Sequence, residues 1–90
     1  MKTDFYKSLR EKLDDQTEFP SVYMFKFIIP ADNHKLALVE ALFGGDSIIT
    51  TRQSKTNKFI SITAKEMMTS SAQIIKVHQA AEKIEGIIQL

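Results

Sequence analysis

Between Pro20 and Pro30 the chain reads Ser21-Val22-Tyr23-Met24-Phe25-Lys26-Phe27-Ile28-Ile29. The run is rich in aromatic and β-branched residues and has a proline at each end, which marks a strand. Alternation splits it into two rows. Tyr23, Phe25, Phe27 and Ile29 share one face, and Val22, Met24, Lys26 and Ile28 share the other. A strand apolar on nearly both sides belongs in the middle of its sheet.

Upstream, Phe5, Leu9 and Leu13 fall on one stripe, so the spacing predicts a short helix from Thr3 to about Leu13, with Thr3 as its N-cap. The polar run Asp14 to Glu18 follows, and the residue before Pro20 is driven towards extended backbone. Residues 1–18 therefore read as an N-terminal helix and polar linker, and 19–90 as the main domain.

Downstream, Asp32 or Asn33 caps a helix from His34 to Phe43 that buries Leu36, Val39, Leu42 and Phe43. Gly44-Gly45 offers it a left-handed stop. Asp46 to Gln53 and Lys58 to Lys65 are β-branched runs joined by the turn Ser54 to Asn57, a hairpin. Ser70 with Gln73 makes a capping box for a helix to about Glu85, whose core stripe is Ile74, Val77, Ala81 and Ile84. Gly86 ends that helix, and Ile87 to Leu90 form a last short strand.

The order after the first helix is β-α-β-β-α-β. The chain is thus α+β, a ferredoxin-like βαββαβ sandwich: a four-stranded antiparallel sheet with two helices on one face, plus a short N-terminal helix. The other sheet face is left open. Ile60, Ile62 and Ala64 pair with the aromatic row on the helix side. Met24, Lys26, Ile28, Phe59, Ser61 and Thr63 then face outward, with Thr50 and Arg52 beside them. Such a mixed face calls for a cover. The N-terminal helix could supply it with Phe5, Leu9 and Leu13; a second copy could pack sheet to sheet as a homodimer; or a ligand or another protein could bind there.

Composition narrows the class. Ninety residues with 43% hydrophobic and 26% charged content describe one small globular domain. With no cysteine, disulfides and thiolate chemistry are excluded, and a reducing, cytoplasmic location is expected. No apolar run approaches the ~20 residues of a membrane span, so no membrane partner is expected. The net charge of +1 is far from that of a general nucleic-acid binder. Arg52, Lys55, Lys58 and Lys65 form an acid-free stretch, read first as lysines keeping an edge soluble.

The Phe19-Pro20 pair, Tyr23-x-Phe25-Lys26, and Phe59-x-Ser61-x-Thr63 before a helix and a final apolar strand resemble the YbeD-like family of small bacterial proteins, domain of unknown function 493. The likeness runs from about Leu13 to Leu90. It implies a ferredoxin-like fold similar to the ACT domains that sense small metabolites, and with it a regulatory role. ACT-type sites use a glycine-containing turn after the first strand; here Pro30-Ala31-Asp32-Asn33 stands instead.

No catalytic or metal-binding constellation is present, and no cofactor is expected. The histidines His34 and His78 lack the orienting carboxylate and spacing of a base or ligand pair. His78 is placed at a helix surface or boundary. The expected function is a regulatory or adaptor domain that binds a protein or small ligand through its open face or hairpin. Lys26, Phe59, Ser61 and Thr63 are its expected binding residues, suited together to an anionic or carboxylate-bearing group. The alternative is a weak single-stranded RNA binder, which would need aromatic residues of the central strands on the open face. An acylphosphatase-like enzyme comes third; it would need an arginine in the loop after the first strand, and residues 30–33 hold none.

Overall fold

The computed structural model describes residues 2–90, and side chains from residue 4 onward. Its elements are α1 (Lys2–Gln16), β1 (Ser21–Pro30), α2 (Asn33–Glu40), β2 (Ile48–Gln53), β3 (Phe59–Met68), α3 (Ser71–Ala81) and β4 (Ile88–Gln89). The cap expected of the Thr3 side chain lies outside the described residues. The strands form one antiparallel sheet in the order β2-β3-β1-β4, with β1 and β3 central as the apolar pattern required.

Register fixes which residues meet. Phe25 stands opposite Ala64, Phe27 opposite Ile62 and Ile29 opposite Ile60, and all six are buried under the helices. Val39 of α2 and Ile74, Ala81 and Ile84 of and after α3 close the core from above. Phe43 lies against Phe25, ring centroids 5.2 Å apart. Caps set the helix starts: the Asp32 carboxylate accepts from the His34 and Lys35 amides, and the Ser70 hydroxyl from the Gln73 amide. The Gln73 side chain reaches back one residue further than a capping box does, accepting from the Thr69 amide at 2.7 Å and its hydroxyl at 2.9 Å.

The left-handed stop expected at Gly44-Gly45 is absent. Gly86 is the glycine with positive φ among the described residues. α2 ends at Glu40 with Ala41 still right-handed, and tight turns bring the Leu42 amide to Val39 and the Phe43 amide to Glu40. Gly44 serves a close approach instead: its amide donates to Glu66 Oε1 at 2.8 Å, and a Cβ there would stand 3.0 Å from that oxygen. Gly86 does take the left-handed turn, φ 81°, after α3 has loosened into turns beyond Ala81.

The N-terminal helix does not cover the open face. α1 lies on the helical side, antiparallel to α3, and is fastened at both ends. The Tyr6 hydroxyl donates to Glu82 at 2.6 Å, and the Ser71 hydroxyl donates to Asp14 at 2.6 Å. Leu13 joins the core, whereas Phe5 is 62% exposed and Tyr6 takes the inward place. Tyr6 carries a polar tip that reaches the Glu82 carboxylate, a bond phenylalanine there could not make. Packing on α1 as well as on the sheet also buries Ile75 and His78, a second face of α3.

Candidate functional site

The open face is assembled by three strands in register. Lys26 stands opposite Thr63, and Thr63 opposite Thr50. One row along, Met24, Lys65 and Ile48 line up in the same way. These six side chains enclose a shallow cavity of about 290 Å³. Directly opposed and adjacent side chains of a sheet lie within mutual reach, so two lysines and two threonines line this cavity together, with Met24 and Ile48 flanking Lys65.

The four residues expected from sequence all lie on this face but do not form one cluster. Lys26 and Thr63 are neighbours in the cavity. Ser61 belongs to the next row, between Ile28 and Arg52. Phe59, 46% exposed, stands beside Pro30 at the far end of β3, about 13 Å along the strand from Thr63. Lys65, the last residue of the β-branched run, is not among the four; β3 runs on to Met68, which places it well inside the strand. Its parity with Phe59, Ser61 and Thr63 was the signal for it. Thr50 and Arg52 lie where the pattern put them.

The face is cationic as well as apolar. Lys26, Arg52 and Lys65 share it, and no carboxylate among the described residues forms an ion pair with any of them. Glu66, the acidic residue of the strands, points to the opposite side and accepts from Gly44. Met24, Phe59, Met67 and Ile88 are each about half exposed on the open side. Tyr23, Phe25 and Phe27 belong to the helix side, where Phe25 and Phe27 are each 1% exposed, so the central strands offer no stacking platform beyond Phe59.

The helical side holds the remaining polar groups. His78, expected at a boundary, is buried; its Nδ1 lies 2.6 Å from Gln89 Oε1, and the Gln89 amide donates to the His78 carbonyl at 3.1 Å. Burial first, then the hydrogen bond to Glu82 and its charge, pushes the Tyr6 phenol up to about 12. His34 is exposed at the start of α2. No three His, Asp or Glu side chains among the described residues gather as metal ligands would. No helix among them is long and apolar enough to cross a membrane.

Residues 14–90 match the family model described as Protein of unknown function (DUF493). The chain belongs to the DUF493 family. A UPF0250 protein of Shewanella piezotolerans (strain WP3 / JCM 13877) is 30% identical over 83 residues, covering 88% of this chain and 94% of that protein. No solved structure matches the chain significantly. The DUF493 match starts at Asp14, the residue that accepts from Ser71, so most of α1 precedes the matched segment.

Proposed function

We propose that this DUF493 chain is a small adaptor or regulatory domain whose open sheet face docks a protein segment presenting carboxylates among apolar side chains. One observation carries the reading: a sheet face with Lys26, Arg52 and Lys65, no acidic residue, half-exposed Met24 in the row of Lys65 and half-exposed Phe59 at the end beyond Arg52. Exposed apolar area of this kind marks contact surfaces, and a single sign of charge selects the partner's sign. The cavity bounded by Lys26, Thr50, Thr63 and Lys65 is the place for a partner carboxylate, which would receive charge-assisted hydrogen bonds. The resemblance to ACT domains supports regulation, although the Asp32 turn, engaged in capping α2, does not provide their ligand loop.

Recovery of the tagged chain from native cells, in parallel with Lys26→Glu and Lys65→Glu variants, tests this reading. A protein held by the wild type and lost from both variants should, once purified, shift the amide resonances of Lys26, Thr50, Thr63 and Lys65 in the labelled domain. Shifts confined to α1 and α3 would defeat it. So would recovery of single-stranded RNA whose binding weakens steeply with salt, the signature of phosphate contacts.

A further inference from the structure

The β2 edge of the sheet is long and uncovered, whereas β4 at the other edge has two residues. Every residue of β2 except Ile49 is exposed, and its pairing with β3 runs unbroken from Ile48 to Gln53. Free edges are ordinarily blunted by several charges, proline, a bulge or brevity, because their unpaired backbone groups invite another strand, and β2 itself carries one charge, Arg52. β2 has neither proline nor bulge. The ladder tells which groups are free. The Ser54 amide donates to the Phe59 carbonyl at 2.9 Å, so Ser54, Arg52, Thr50 and Ile48 turn their backbones towards β3. Ile49, Thr51 and Gln53 turn theirs outward.

We infer that two copies of this chain pair β2 to β2, antiparallel, about a twofold axis at Thr51. In that register Thr51 faces Thr51 of the second copy and Ile49 faces its Gln53, so all three outward residues of each strand exchange bonds. A shift of two residues leaves at least one of them unpaired, and a shift of one opposes an outward residue to an inward one. The pattern is complementary to itself, as a twofold contact requires. Charge agrees with it. Arg52 opposes Thr50 of the second copy rather than its own counterpart, and the exposed Lys55 of each hairpin turn comes alongside Ser47 and Asp46 of the other chain. Directly opposed residues share a side of the sheet, so both helical layers fall on one side and both open faces on the other.

Sedimentation equilibrium on the full chain reads the outcome. The expected mass is twice 10.2 kDa at high concentration, falling to 10.2 kDa on dilution. Thr51→Pro removes an outward amide that the β2–β3 ladder does not use, and edge strands accept proline at such positions. That variant should stay at 10.2 kDa with an unchanged far-ultraviolet circular dichroism spectrum. Independently of any variant, the amides of Ile49, Thr51 and Gln53 should exchange slowly in concentrated wild-type solution and quickly when dilute. A single-chain mass at every concentration, a double mass kept by folded Thr51→Pro, or exchange at those amides indifferent to concentration would each overturn the inference.

Discussion

The two faces of this sheet are built from alternate residues of the same strands, yet they have opposite fates. On the helical side Phe25, Phe27 and Ile62 are each 1% exposed; on the open side Val22 is 58%, Met67 53% and Met24 46% exposed. Side-chain apolarity does not separate these sets, since methionine and valine are as fit for a core as isoleucine. Coverage separates them. α2 and α3 sit over one row, with α1 beside α3, and nothing among the described residues sits over the other. Leaving apolar area wet forgoes roughly 25 cal/mol per Å². The open row gives up that stabilisation, whereas the lysines and arginine between its apolar residues keep the surface soluble and single-signed.

The sharpest way to break the comparison is a pair of truncations on adjacent residues. Phe25→Ala should cost about 3–5 kcal/mol, the range for emptying a large core site. Met24→Ala, one residue away on the other face, should cost under about 1 kcal/mol. Urea midpoints giving the reverse ranking would mean the facing is wrong. A second test asks how firmly α1 belongs to the helical side. Tyr6→Phe should cost about 1–2 kcal/mol at neutral pH, because the bond it deletes ends on a carboxylate. The phenol is raised from 10.0 to about 12, so the folded state favours its neutral form. Its contribution is full below the ordinary phenol pKa and is lost as pH rises towards 12. Stability should therefore fall across that alkaline window in wild type and fall less in Tyr6→Phe, leaving what Tyr23, also raised by burial, contributes. Equal alkaline slopes in the two proteins would show that Tyr6 is not held there. The smallest effect belongs to the open face. Phe59→Ser should change stability by no more than Met24→Ala does, under about 1 kcal/mol, since the two residues are equally exposed, 46% each. A loss several times larger would show that this ring is part of a core.

Much of this could be read along the chain. The alternation of Ser21 to Ile29 and of Phe59 to Ala64 assigned each side chain to its face, and Asp32 and Ser70 marked where two helices begin. Lys65 stands at the very end of the β-branched run, where pattern alone does not fix a side chain's facing, and Glu66-Met67-Met68 extend β3 through pairing with Ser21, Val22 and Tyr23 rather than through their own preference. His78 escaped because its burial depends on α1 and Gln89, neither of which is near it in sequence.

By itself, then, the sequence determined what is periodic: element order, the central place of β1 and β3, and the parity that sets Phe25 against Met24. Period-two alternation is a property of the backbone and needs no partner to be expressed. Only the tertiary structure decided what lies against what. It chose Tyr6 over Phe5 for the inward place on α1, sent that helix to α3 instead of the open face, and gave Gly44 a carboxylate to approach. It also brought Thr50 and Lys65 beside Lys26 and Thr63. Each of these outcomes turns on a contact between residues far apart in the chain, such as Tyr6 with Glu82 or Gly44 with Glu66, and no local preference encodes which of several compatible surfaces will be the one that closes.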